Sequence, residues 1–291
     1  MTWTITILIE NNIDHEKKLS CEHGLSMLIE GNGIRLLMDT GDSGAFYDNA
    51  VKLDVSLDNL DAILLSHAHY DHAGGFLRLI REKGAPKNLY VGKGFFKKSY
   101  LTKKDGRVRY IGIRFDKRTL KDLGVGIHEI SEDCFSPFPG VTFHRNFSRV
   151  HDWEPLNDIF VWQEEEPAPC FGGRCMDSMI FHPDTFPEET VVTLDTDHGL
   201  VLIAGCSHPG IMNIVSTIRE RTGKRICGII GGTHLIDSDK DRLAKTIEAF
   251  RDMDLDFLAV SHCTGEENLP ALQEAFGEKF IFNNTGNVIQ C

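Results

Sequence analysis

Short apolar runs alternate with turn residues through the first third of the chain. Residues 4–9, 25–30 and 34–39 read as strands, the last two joined in hairpin fashion around Gly31-Asn32-Gly33. Residues 46–53 read as a short helix. The run Asp61-Ala62-Ile63-Leu64-Leu65-Ser66 predicts a buried strand that leads straight into a histidine cluster. Residues 76–83, with apolar Phe76, Leu77, Leu79 and Ile80, predict a helix that Gly84 and Pro86 end.

The last third is more regular. Residues 191–196 and 200–204 predict a hairpin turning at Asp197-His198-Gly199. Apolar positions 211, 214, 215 and 218 fall on one face of a helix over 209–222, with Ser207 as N-cap and Pro209 in the first turn. A strand at 226–230, a helix near 239–252 and a strand at 257–261 form a β-α-β stretch with parallel pairing. Between about 93 and 187 the chain is irregular and rich in Gly, Pro, aromatic and charged residues, which predicts a loop-rich insert. The expected class is α/β (α+β), one domain over 1–291 with two sheets covered by helices.

Composition narrows the function. The 291 residues carry 31 basic and 43 acidic side chains, a net charge of −12, which disfavours bulk affinity for nucleic acid or anionic lipid. No stretch approaches the roughly 18 apolar residues that span a bilayer, and the start lacks a basic leader, so the expected location is the cytoplasm. The eight cysteines are scattered along too long a chain for a disulfide scaffold and are expected as thiols. Local charge departs from the average. Residues 93–121 contain eleven Lys and Arg against Asp105 and Asp116. This segment is expected to line the mouth of the site and steer an anionic, phosphorylated small molecule, the alternative being a solvated surface lobe. Phe95, Phe96 and Tyr100 could stack a flat ring, although core packing is the commoner use of such residues.

The strongest chemical signal is His67-x-His69-x-Asp71-His72, directly after a buried strand. Imidazoles and a carboxylate at this spacing cannot share one face of a regular helix or strand, but a tight loop can aim all of them into one pocket. Gly74-Gly75 fits the close backbone approach such a loop needs. The donors suit zinc, with iron or manganese as alternatives.

Asp39-Thr40-Gly41, the His67–Gly75 motif and a late strand ending in Ser261-His262 resemble the ordered motifs of the metallo-β-lactamase superfamily. That resemblance implies a four-layer αββα sandwich with one or two divalent ions at one edge. It implies that His67 and His69 hold one ion and that Asp71, which could also orient the attacking oxygen, and His72 hold the second. The remaining ligands would be His208 and His262. Asp39 would orient a ligand, and His234, which also ends a strand, would face substrate or else bind metal. Histidine at position 69 resembles the hydrolytic rather than the flavodiiron branch. Related branches end a strand in Gly-Asp where this chain has Gly205-Cys206. The bridging carboxylate is therefore missing, replaced by the Cys206 thiolate, or supplied from elsewhere. Cys206 reads equally as a small buried core residue, and the metal count stays open.

A narrower resemblance, to the dihydropterin-linked synthase-like branch, runs through Glu22-His23-Gly24-Leu25-Ser26, Gly205-Cys206-Ser207-His208-Pro209-Gly210-Ile211, Gly231-Gly232-Thr233-His234-Leu235 and His262-Cys263-Thr264-Gly265. It implies displacement of pyrophosphate, with Glu22 and His23 given no mechanism. The superfamily otherwise implies hydrolysis. An iron-dependent oxygenase of the persulfide-dioxygenase type, a nuclease of the same fold and a non-catalytic metal-binding module are the alternatives. Cys170-Phe171-Gly172-Gly173-Arg174-Cys175 is read as a flexible loop with a weak metal or redox signal. Oligomeric state is not legible.

Overall fold

The computed structural model describes residues 1–13, 18–164 and 180–291, together with the backbone of Cys170–Phe171 and Arg174–Cys175. The side chains of the Cys170–Cys175 motif lie outside the described residues. The alternating N-terminal run forms the strand Trp3–Ile9, paired antiparallel with Val288–Gln290 on one side and Ser26–Gly31 on the other. Ser26–Gly31 and Ile34–Met38 close on Asn32-Gly33, with φ of 52° and 78°. Left-handed backbone at both central residues matches the right-handed twist of the flanking strands. Ala62–Leu65, Leu89–Gly92 and Ile127–Ile130 add in parallel to complete a seven-stranded sheet.

The second, six-stranded sheet runs in the order Phe257–Ser261, Ile226–Gly232, Gly199–Ala204, Val191–Thr196, Val141–His144, Cys134–Phe138. Its first three strands are parallel, as the β-α-β pattern predicts. Alternation along the strands then builds the layers. Ile5, Ile7, Met27, Ile29, Leu36 and Leu64 face Phe143, Val192, Leu194, Val201, Ile203 and Ile230 in a core between the sheets. Leu28, Leu37, Ile63, Leu65 and Val91 point the other way, onto Phe46, Phe76 and Leu79 of the helices Ala45–Lys52 and Phe76–Lys83. Leu200, Leu202, Ile229 and Val260 likewise meet Ile214, Val215, Ile218 and Phe250 from the helices Ile211–Thr222 and Lys240–Arg251. The result is a four-layer αββα sandwich. Each buried aliphatic side chain contributes about 1.5–3 kcal/mol. A one-residue register slip would turn a whole row outward, so these interior strands are strongly pinned.

Three expectations change. The segment 93–187 is more than a loop-rich insert: Ile127–Ile130, Cys134–Phe138 and Val141–His144 belong to the two main sheets. Lys98–Thr102, Val108–Tyr110, Phe160–Glu164 and Ile180–Pro183 form a separate four-stranded sheet. The helix expected from 209 starts at Ile211, with Gly210 at its N-cap and no side-chain cap. Ser207 Oγ instead donates to the Gly232 carbonyl, and Glu154 binds the first-turn amides of Met212 and Asn213 at 3.0 and 2.8 Å. A cap supplied from 58 residues upstream has no local signature. Finally, Phe95 is fully buried in the core, and Tyr100 packs on Tyr110 and Phe181 with its hydroxyl on Gln163. Neither is free to stack on a ligand.

Ile34–Met38, Ala62–Leu65, Gly199–Ala204, Ile226–Gly232 and Phe257–Ser261 all release, at their carboxyl ends, the loops that carry Asp39, His67 to His72, Cys206 to His208, His234 and His262. No described helix is long and apolar enough to cross a membrane.

Candidate metal centre

The histidine loop is compressed against its neighbours. A Cβ on Gly74 would lie 2.1 Å from the Asp42 carbonyl oxygen, and one on Gly75 2.2 Å from that of Thr40, so only glycine fits. The Thr40 amide donates to the His72 carbonyl at 2.7 Å and that of Leu25 to Asp71 at 3.1 Å. Glu22 acquires a role here. Its carboxylate accepts from the amides of Asp42 and Ser43 and from the Ser43 hydroxyl, fixing the turn after Asp39-Thr40-Gly41. Asp39, Ser207, His234 and His262 are all buried with φ between 49° and 65°. Left-handed backbone at non-glycine residues is strained and collects at functional sites. Here it marks four strand ends around one pocket.

Two groups of donors face each other. The rings of His67, His69 and His208 lie 4.6–4.9 Å apart, centroid to centroid. The Nε2 atom of each is buried without a hydrogen-bond partner, an arrangement that costs about 1–3 kcal/mol per group unless something accepts the lone pairs. Ser66 Oγ donates to Asp39 Oδ2, so it accepts from His67 Nδ1 at 3.0 Å. That hydrogen bond fixes the tautomer with a bare Nε2.

In the second group, His72 Nε2 lies 3.1 Å from His262 Nε2, 3.2 Å from Cys206 Sγ and 3.6 Å from Asp71 Oδ2. Asp71 Oδ2 to His262 Nε2 is 3.4 Å. Tetrahedral coordination with bonds of about 2.0–2.3 Å sets donor–donor edges of about 3.3–3.7 Å, so these donors fit a transition-metal ion. Each imidazole is braced from behind. Asp39 Oδ2 accepts from His72 Nδ1 at 2.7 Å, and Asn11 Oδ1 accepts from His262 Nδ1 at 2.9 Å. Such braces set ring orientation and ligand basicity.

Electrostatics follow burial. Desolvation holds His67 and His208 well below the usual histidine range, His69 at about 3, and His262 and His234 at about 4. Burial pulls His72 the same way, but Asp39 and Asp71 outweigh it and raise it to about 9. Burial would raise Asp71, but His72, His262 and His69 hold it well below the usual carboxylate range. Burial also raises Glu189 to about 8; its oxygens accept from the amides of Ser207 and His208 at 2.6 and 3.0 Å.

His234 is buried beside His208, rings 4.3 Å apart, and lines a cavity of about 270 Å3 without joining either donor group. His23 is half exposed at the mouth, stacked on His262 with Nε2 3.3 Å from Asp71 Oδ2. Tyr70, Leu101, Ile111, Phe160 and Ile236 form the walls, and Arg109, over the Tyr70 ring, lies at the rim. Much of the remaining positive charge of 93–121 is paired: Lys97 with Asp184 and Glu188, Arg107 with Asp105, Arg114 with Asp42, Lys117 with Glu129.

The sandwich and its edge constellation are those of a metallo-β-lactamase-like fold, and the chain is similar to that superfamily in sequence and in structure. Residues 19–133 match the sequence profile described as the metallo-beta-lactamase superfamily. The chain is 29% identical to 7,8-dihydropterin-6-methyl-4-(beta-D-ribofuranosyl)-aminobenzene-5'-phosphate synthase of Methanocaldococcus jannaschii, over 98% of this chain and 96% of that protein. An uncharacterised protein of the same organism is 28% identical over 98% and 99%. The crystal structure of Tm1679, a metal-dependent hydrolase of the beta-lactamase superfamily, superposes with a TM-score of 0.81 at 27% identity, covering 99% of this chain and 98% of that one.

Proposed function

We propose that this chain is a divalent-metal-dependent enzyme acting on a small, ring-bearing phosphorylated compound, by hydrolysis or by transfer with release of pyrophosphate. The observation that carries the reading is the set of orphaned, buried Nε2 atoms of His67, His69 and His208 beside the Asp71–His72–His262 group, with His69, Asp71, His208 and His262 lining one cavity. Imidazole and carboxylate donors suit zinc, with iron or manganese as alternatives. Bound there, such an ion lowers the pKa of water toward about 7 and stabilises negative charge on oxygen.

The chain's own residues do the rest. Asp71 Oδ2, at the junction of the donors and the open cavity, orients the attacking group. Arg109 at the rim attracts the anionic end of the substrate, and Tyr70 and Phe160 offer aromatic faces to a flat ring. His234 touches substrate from the wall. A cavity of about 270 Å3 suits a small molecule rather than a polynucleotide. Likeness to the archaeal synthase supports a dihydropterin substrate, and likeness to Tm1679 supports hydrolysis.

The test is incubation of metal-loaded protein with dihydropterin pyrophosphate, with and without an aminobenzene ribotide, following pyrophosphate release. Release that requires the second substrate identifies transfer, and release without it identifies hydrolysis. No release, beside metal-dependent turnover of thioesters or lactones, would contradict the substrate class.

A further inference from the structure

We propose that Cys206 supplies a thiolate shared by both metal positions, in the role that a bridging carboxylate would otherwise fill. The inference rests on the reading that the centre holds metal, and it concerns which side chain joins the two halves. Cys206 follows the Gly199–Ala204 strand and is 3% exposed. Its sulfur belongs to both donor groups. It lies with Asp71, His72 and His262 on one side and with His67 and His208 on the other, all donor atoms of each group within 4.8 Å of one another. The 3.2 Å separation from His72 Nε2 is close to the edge of one coordination tetrahedron. On the other side, the unpartnered Nε2 atoms of His67 and His208 point to an ion near the same sulfur.

The flanking carboxylates are committed elsewhere. Asp39 accepts from the Ser66 amide and hydroxyl and from His72 Nδ1. Glu189 accepts from the amides of Ser207 and His208. Among the described residues, Asp71 is then the carboxylate grouped with the donor atoms. Two dications held by one carboxylate and neutral imidazoles would leave a large uncompensated charge in a buried site. A Cys206 thiolate supplies the second anion: its S–H proton leaves to solvent as the sulfur–metal bonds form, with no change of oxidation state. The neighbouring thiol is turned aside, since Cys263 Sγ donates to the Cys206 carbonyl and accepts from the His234 amide. A soft sulfur donor also tilts the centre toward zinc, cobalt or iron and away from magnesium and manganese.

The test uses the full chain titrated with cobalt(II), read by absorption and by metal content. The expected result is a sulfur-to-cobalt charge-transfer band in the near ultraviolet that grows over two equivalents. Cys206→Ser should lose the band and hold its second ion at least tenfold more weakly. Cys206→Asp should lose the band and keep both ions, and Cys263→Ser should keep the band. The wild-type band is a readout that does not depend on any variant folding. Two bound cobalt ions without the band, or a band that survives in Cys206→Ser, would overturn the assignment while leaving the metal centre standing. Growth over only one equivalent would make Cys206 a ligand to one ion and overturn the sharing. A wild-type chain that takes up no cobalt would overturn both this inference and the proposed function.

Discussion

Replacing Asp39 by Asn perturbs the centre without touching a donor to it. The carboxylate makes three buried hydrogen bonds: Oδ1 accepts from the Ser66 amide at 2.7 Å, and Oδ2 accepts from the Ser66 hydroxyl and from His72 Nδ1, each at 2.7 Å. Asparagine tolerates the left-handed φ of 60°, so backbone strain stays nearly constant. It offers one acceptor oxygen in place of two. Whichever way the amide turns, its NH2 group opposes either the Ser66 amide or the pair formed by Ser66 Oγ and His72 Nδ1. Loss of such a brace typically weakens metal binding 10–100-fold, or about 1.4–2.7 kcal/mol. The broken buried bond should destabilise the fold by about 1–3 kcal/mol. The weakening should fall mainly on the ion held by Asp71, His72 and His262. Competition with a chromophoric chelator measures both affinities, and urea denaturation measures the stability loss. Two ions bound as tightly as in the wild type would refute the argument that Asp39 acts through His72.

Other consequences can be checked separately. Glu154→Ala should destabilise the chain by about 0.5–2 kcal/mol through loss of the long-range cap on Ile211–Thr222, seen as a lower urea midpoint. Arg109→Ala should raise KM for a phosphorylated substrate with kcat nearly unchanged and metal content intact, and an unchanged KM would remove Arg109 from anion recognition. The halves should respond differently to pH. In the metal-free chain His72, raised to about 9, is protonated at neutrality and must lose its proton before binding. Affinity at that position should therefore rise about tenfold per pH unit between 7 and 9. His69 sits at about 3, and His67 and His208 lie well below the usual histidine range. These three stay neutral over the same window, so the other half should lack the proton that His72 adds to the slope and keep only that of the shared Cys206 thiol. Equal slopes for both ions would contradict this division.

The fold was largely legible because its signals are local. Short apolar runs marked many strands of the two main sheets, the Asn32-Gly33 turn marked its hairpin, and the His67–His72 spacing marked the loop that anchors the site. Missed features depend on contacts distant in sequence. Asn11 braces His262 across 251 residues, and Glu189 organises the Cys206–His208 loop from the far end of a hairpin. The strands within 127–144 were obscured because they are short, and the two at the edge of the second sheet include Pro137 and polar positions. Phe95 was open to either core packing or ring stacking, because sequence cannot tell a core aromatic from one facing a pocket; it is in the core. The charge run over 93–121 was read without its partners, which arrive from residues such as Asp42, Glu129, Asp184 and Glu188.

The central claim is that His67, His69 and His208, with Asp71, His72 and His262, hold metal in one centre. Metal analysis of protein purified without added metal, set beside His69→Ala and Asp71→Ala, tests it most directly. Up to about two divalent ions per wild-type chain are expected, zinc foremost, and less than about one in either variant. A metal-free wild-type chain that also takes up none on incubation, or full retention in both variants, would contradict it.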